Sequence, residues 1–66
     1  MRILVNGDGR ECDPGTTVAD LLDALGLRSG AVVIERNGTI LAREAFAVTP
    51  LAEGDALEIV RLVGGG

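Results

Sequence analysis

The chain has 66 residues, one cysteine, no histidine and a formal net charge of −4. A lone cysteine cannot form a disulfide within the chain, and a Cys/His zinc site is excluded, so an apolar core has to stabilise the fold. The acidic balance argues against nucleic-acid binding, which needs a basic patch, and favours a protein partner with a basic docking face.

Lysine, tyrosine and tryptophan are also absent, so carboxylates are the only common acid–base groups. We therefore expect a protein that is not itself an enzyme and that holds no metal. No apolar run approaches the roughly 18 residues that span a bilayer, so we expect no membrane segment. The chain begins directly on strand-like residues, which predicts no leader, and a single unpaired cysteine is typical of the reducing cytoplasm.

The first predicted element is a β-hairpin. Apolar and polar residues alternate over residues 1–6, with Ile3 and Val5 on one face. Residues 7–9, Gly-Asp-Gly, predict the turn, and residues 10–13 predict a second strand whose Cys12 points into the core. Because Asp8 would repel phosphate, a phosphate-binding loop is disfavoured here.

A helix is predicted over residues 17–25. Thr17 is a suitable N-cap, and Asp20 stands where a capping box places its acidic residue. Gly26 predicts a left-handed C-terminal cap, with Leu27 in contact with Leu22. One buried stripe follows the helical period and comprises Val18, Leu21, Leu22 and Leu25.

The second half predicts another hairpin and a last strand. Residues 31–36 form a strand whose apolar residues 32–34 are expected to be covered on most sides, and Asn37-Gly38 is a strong hairpin-turn signal before strand residues 39–41. Residues 42–51 predict an irregular or short helical connection with Phe46 in the core. Residues 53–55 predict a turn before a final strand over residues 56–63.

Strand phase predicts an exposed apolar patch at the base of the C-terminal glycines. If Leu57 and Ile59 face the helix, Val60 and Leu62 face outward, and Leu4 faces outward beside them. We predict that Leu4, Val60 and Leu62 form a partner-binding patch. The alternative is that the strand end frays and Leu62 covers the core. Arg43 and Arg61 are further candidate contacts, although they fit solvated surface positions equally well.

The element order predicts an α+β fold. Two hairpins, one amphipathic helix and a last strand make a mixed sheet of four to five strands, packed on one face by the helix. If the first and last strands are parallel central neighbours, this is the β-grasp (ubiquitin-like) arrangement. Residues 1–63 are then the domain, and Gly64, Gly65 and Gly66 are a thin flexible tail that can enter a narrow channel.

Several motifs give the chain a family resemblance. They are Val-Asn-Gly-Asp at 5–8, Thr-Val-Ala-Asp-Leu-Leu at 17–22, Leu-Gly-Leu at 25–27, Asn-Gly at 37–38, Arg-Glu at 43–44, Gly-Asp-Ala-Leu-Glu-Ile-Val at 54–60 and the terminal Gly-Gly. In this combination the chain resembles the ThiS family, the sulfur carrier proteins of thiamine biosynthesis. One departure is Ala42, where family members often carry proline before the arginine.

The resemblance implies that Gly66 is the reacting residue. Its carboxylate would be adenylated by an E1-like, ThiF-type enzyme, which supplies ATP and Mg²⁺, so the carrier binds no cofactor of its own. Sulfur from a cysteine desulfurase relay would then give a thiocarboxylate, and a ThiG-type thiazole synthase would accept that sulfur.

Two alternatives remain open from the sequence. One is a carrier like the small subunit of molybdopterin synthase, which uses the same terminal chemistry but is usually longer. The other is a regulatory or RNA-contacting β-grasp module, against which the acidic charge and the glycine terminus argue.

Overall fold

The computed structural model describes residues 1–63, which contain five strands and one α-helix. The predicted tail, Gly64, Gly65 and Gly66, lies outside the described residues. The elements are β1 Arg2–Val5, β2 Asp8–Glu11, α1 Val18–Leu25, β3 Val32–Arg36, β4 Thr39–Leu41 and β5 Ala56–Arg61, with 3₁₀ turns at Ser29–Ala31 and Arg43–Val48.

The strands form one mixed sheet in the order β2-β1-β5-β3-β4. β1 and β5 are parallel neighbours, and the other three pairings are antiparallel. One side of the sheet packs with α1 around a buried apolar core of Ile3, Val18, Leu21, Leu22, Val32, Ile34, Phe46, Leu51, Leu57 and Ile59. This confirms the predicted β-grasp fold, with the last strand at the centre of the sheet.

Local hydrogen bonds define both ends of α1, as predicted. The Thr17 hydroxyl accepts from the Asp20 N–H at 3.1 Å, and the Asp20 carboxylate accepts from the Thr17 N–H at 3.0 Å. Gly26 is left-handed at φ 72°, and the Leu27 N–H donates to the Leu22 carbonyl at 2.9 Å. The helix is therefore bounded by a capping box and a glycine cap.

The first hairpin differs from the prediction. Its turn is Asn6-Gly7, with φ of 51° and 86°, and β2 begins at Asp8. The prediction of a turn over residues 7–9 and a strand over residues 10–13 was wrong, because an Asn-Gly pair suits the two positive φ values of a type I′ turn. Cys12 lies just beyond β2, half-buried, and packs against the core as expected.

The second half follows the prediction with two corrections. The Asn37-Gly38 turn and the buried Phe46 are confirmed. Val33, expected to be covered on most sides, is 38% exposed, because it points away from α1 between buried Val32 and Ile34. β5 ends at Arg61 rather than residue 63, although the Leu62 N–H still donates to the Ala31 carbonyl at 2.8 Å. No helix within residues 1–63 is long and apolar enough to cross a bilayer.

Candidate functional site

β5 carries the chain from the centre of the sheet to its C-terminal glycines. Leu57 and Ile59 are buried toward α1, whereas Glu58 and Val60 face outward, as the strand phase predicted. The parallel strand β1 pairs with β5 only at Leu4–Ala56 and Val5–Leu57. Antiparallel β3 pairs with β5 over five of its six residues, from Leu57 to Arg61. The end of β5 that leads to the glycines is therefore held mainly by β3.

Asn6 takes the place of a further β1 residue beside β5. Its side-chain Oδ1 accepts from the Ile59 N–H at 2.7 Å, and its Nδ2 donates to the Ile59 carbonyl at 3.2 Å. Its own N–H donates to the Leu57 carbonyl at 2.8 Å. The turn residue thus satisfies both backbone groups of Ile59 although β1 has already ended at Val5.

Asp55 fixes the start of β5. Its carboxylate is nearly buried and accepts from the Ala52 N–H at 2.9 Å, the Arg36 Nε at 3.0 Å and the Asn37 Nδ2 at 3.0 Å. Burial opposes ionisation of Asp55, but these hydrogen bonds and the Arg36 charge outweigh it and hold the pKa of Asp55 below its usual value. Asn37 completes the cluster by accepting from the Ala56 N–H at 2.9 Å.

The three predicted contact residues are exposed, but they do not form one cluster. The exposed fractions are 41% for Leu4, 58% for Val60 and 50% for Leu62. Leu4 lies opposite Ala56, four residues before Val60 on β5, which is about 13 Å along a strand. Val33, which lies directly opposite Val60, takes the place predicted for Leu4. We call Val33, Val60 and Leu62 the outer patch.

The remaining predicted site residues lie at the surface or outside the described residues. Arg43 and Arg61 are exposed, and neither forms an ion pair with another residue of the described part. Gly66, Gly65 and Gly64 belong to the part of the chain that the structure does not describe. Within residues 1–63 there is no cluster of metal-ligating side chains and no ligand-sized pocket.

The decisive comparison is with families of known proteins. The model of the ThiS family matches residues 3–66, which is nearly the whole chain. The chain belongs to the ThiS family. Its fold agrees, since the crystal structure of the thiamine biosynthesis protein ThiS from Geobacter metallireducens superposes with a TM-score of 0.80, at 39% identity, over 100% of both chains.

Sequences similar to this chain occur both as ThiS proteins of the same length and as part of longer proteins. The sulfur carrier protein ThiS of Escherichia coli is 32% identical over 66 residues, covering all of both chains. The thiazole synthase of Paramagnetospirillum magneticum is 39% identical over 66 residues, all of this chain but 20% of that protein. The chain thus spans a fifth of the length of that thiazole synthase.

Two structural contributions in this ThiS-family chain were missed from the sequence. The sequence predicts Asn6 in the first strand and Asp55 in the turn over residues 53–55, without the side-chain hydrogen bonds of either residue. For Asn6 a signal was present, because Asn6-Gly7 is the same dipeptide that correctly predicted the second hairpin. For Asp55 the side-chain partners Arg36 and Asn37 come from the β3–β4 hairpin, far away in the sequence, so no local signal predicts them.

Proposed function

We propose that the protein is a sulfur carrier of thiamine biosynthesis and that its reacting group is the carboxylate of Gly66. The observation that supports this best is the end-to-end similarity to a protein named as the sulfur carrier ThiS, at 32% identity. The family match also reaches Gly66. A terminal glycine leaves the carboxyl carbon unhindered, which favours its activation and attack.

The proposed chemistry occurs in the active sites of partners. A carboxylate oxygen of Gly66 attacks the α-phosphorus of ATP, pyrophosphate leaves, and an acyl adenylate forms on an E1-like, ThiF-type enzyme that binds the Mg²⁺. The terminal sulfur of a persulfide on the desulfurase relay then attacks the acyl carbon, and AMP leaves. A second thiol of the partner enzymes attacks the other sulfur of the resulting acyl disulfide, so that a disulfide forms and the thiocarboxylate is released. The carrier acts as a co-substrate and supplies the acyl group and a docking surface.

The proposed acceptor of the sulfur is a ThiG-type thiazole synthase. A region similar to the whole of this chain occurs within proteins named thiazole synthase, at 39% and 36% identity. Such a shared region supports an association between the carrier and the thiazole-forming activity. The same comparisons favour the thiamine assignment over a molybdopterin-type carrier.

Intact-mass spectrometry tests the proposal. The full chain is incubated with ATP, Mg²⁺ and a ThiF-type enzyme whose activity is first demonstrated on its own carrier. We expect a mass gain of one adenylyl group, followed by exchange of one oxygen for sulfur when the desulfurase relay is added. Absence of both species with a demonstrably active enzyme would refute the carrier function.

A coupled assay separates the alternatives. Thiocarboxylated protein is offered separately to a thiazole synthase and to the large subunit of molybdopterin synthase, and sulfur loss from Gly66 is followed by mass. We expect transfer to the thiazole synthase. Transfer only to the molybdopterin enzyme would reassign the pathway, and RNA binding by a chain lacking residues 64–66 would favour the binding-module alternative.

A further inference from the structure

The backbone of β5 directs its hydrogen-bonding groups alternately to its two neighbours. Toward β3, the Ala56 carbonyl accepts from Asn37, and the Leu62 N–H donates to Ala31. Toward β1, the Asp55 and Leu57 carbonyls accept from Leu4 and Asn6 at 2.9 and 2.8 Å. Ile59 likewise bonds to Asn6 on that side.

This alternation turns the N–H and the carbonyl of Arg61 toward the β1 side of the sheet. No strand of the described residues lies there, because β1 ends at Val5 and the Asn6-Gly7 turn leads away into β2. Arg61 nevertheless remains in β5, paired on its other side with Val32. On this side of β5 the last hydrogen bonds are those between Asn6 and Ile59. The backbone of Arg61, two residues later, therefore forms a short open edge in the middle of the sheet.

We propose that this open edge beside Arg61 receives an extended segment of the enzyme that activates the Gly66 carboxylate. The inference rests on the proposed function, in which Gly66 carries the reacting group. Three extended residues span at most about 11 Å, so an active site closed around Gly66 has to lie close to Val63 and the end of β5. A strand added there would bond to the N–H and carbonyl of Arg61, as in other cases of β-strand addition.

The surroundings of the edge indicate the chemistry of the added segment. Residues of that segment next to the one bonded to Arg61 would face the same side as Val60 and Leu62, which are 58% and 50% exposed. Apolar side chains there would cover the outer patch. Recognition then combines sequence-independent backbone bonds with apolar contacts directly before the glycines.

Backbone N-methylation of Arg61 tests the proposal. The full chain is made by chemical ligation between Glu11 and Cys12, so that the synthetic residues 12–66 carry the modified amide. N-methylation removes the Arg61 N–H and leaves its side chain unchanged. We expect kcat/KM for adenylation to fall about three- to tenfold, the value of one backbone hydrogen bond, with the urea midpoint unchanged.

The opposite edge of the sheet provides a matched control. The Asn37-Gly38 turn makes Arg36 and Thr39 a hydrogen-bonded pair, so the N–H of Ile40 faces the outer edge of β4. N-methylation of Ile40 should leave adenylation unchanged.

The outcomes separate this proposal from the proposed function. If the unmodified chain is adenylated and the chain N-methylated at Arg61 has the same kcat/KM, strand addition is refuted and the carrier function stands. No adenylation of the unmodified chain by an active enzyme would overturn both. Hydrogen exchange gives a second measurement without a variant: we expect the Arg61 amide to exchange rapidly in the free protein and slowly in the enzyme complex, and rapid exchange in both would also refute the proposal.

Discussion

A single nearly buried carboxylate, Asp55, joins the turn before β5 to the turn between β3 and β4. It accepts three hydrogen bonds, including one from the Arg36 guanidinium and one from the Asn37 amide. Because these donors favour the ionised form, the pKa of Asp55 is lower in the folded protein than in the unfolded chain. Protons therefore bind the unfolded chain first as the pH falls, which makes the contribution of Asp55 to stability dependent on pH.

The first prediction is that Asp55→Asn destabilises the protein mainly at neutral pH. We expect the free energy of unfolding to fall by about 1 to 3 kcal/mol at pH 7, because the Asn amide places an N–H donor where the carboxylate accepted three hydrogen bonds. The stabilisation by Asp55 is complete about one unit above the ordinary aspartate pKa of about 3.9 and is lost as the pH falls through the lower folded pKa. Urea denaturation from pH 7 to pH 3 should show the two proteins converging.

The exposed helix residue Asp23 provides the control for this experiment. Asp23→Asn should change the free energy of unfolding by less than about 0.5 kcal/mol at pH 7. A constant gap between the wild-type and Asp55→Asn proteins down to pH 3 would contradict the assignment of the pH dependence to Asp55.

The second prediction concerns Asn6. Asn6→Gly keeps a residue that tolerates φ of 51° but removes both side-chain bonds to Ile59. We expect a loss of about 1 kcal/mol in the free energy of unfolding and faster exchange of the Ile59 amide. The Leu62 amide, which bonds to Ala31, is the internal reference and should keep its protection. Unchanged protection at Ile59 would show that the Asn6 side chain contributes nothing to holding β5.

At the scale of elements, local chemistry was readable from the sequence and strand register was not. The Thr17–Asp20 capping box and the Gly26 cap were predicted because their partners lie within five residues. The inward and outward faces of β5 were also predicted. The position of Leu4 was not, because sliding β1 by two residues along β5 keeps every side chain on the same face. Only the structure shows that Leu4 stands opposite Ala56.

The third prediction is that Ala42→Pro stabilises the connection after β4. Ala42 has φ −65° and ψ 143°, which proline adopts without strain, and its carbonyl can still accept from the Ala45 N–H. We expect the free energy of unfolding to rise by about 0.4 to 1 kcal/mol, because proline reduces the conformational freedom of the unfolded chain. Ala31→Pro is the contrasting variant: it removes the N–H that donates to Arg28 and should destabilise. Thermal denaturation of both variants checks the opposite signs.

The fourth prediction separates the outer patch from Leu4. If the activating enzyme covers the surface beside the glycines, Val60→Ser and Leu62→Ser should each raise KM for adenylation roughly tenfold, because each removes apolar contact area. Leu4→Ser should have a smaller effect, because Leu4 lies about 13 Å away along the sheet. Ile40→Ser, on the exposed edge strand, is the control. An equal effect of Leu4→Ser and Val60→Ser would support the single patch expected from the sequence.

At the scale of the whole molecule, the buried core lies apart in the sequence from Gly66, the residue that we propose to react. The ten buried apolar residues of the core all lie between Ile3 and Ile59. With one cysteine, and with no metal-ligating cluster in the described part, this core has to hold a 66-residue chain folded. In the sequence the glycines follow β5, the central strand, and none of the ten core residues comes after that strand.

The fifth prediction follows from this division. Deleting Gly66, or adding one alanine after it, should abolish adenylation, because the carboxylate that we propose as the reacting group is shifted by one residue, about 3.5 Å, from its place in the enzyme. The urea midpoint of both variants should equal that of the full chain, since no core residue is changed. Gly64→Ala, a change in a spacer position, should retain activity and serves as the control. Full adenylation of the extended chain would show that the enzyme does not measure the distance from β5 to the carboxylate, whereas a lower midpoint would show that the glycines contribute to the fold.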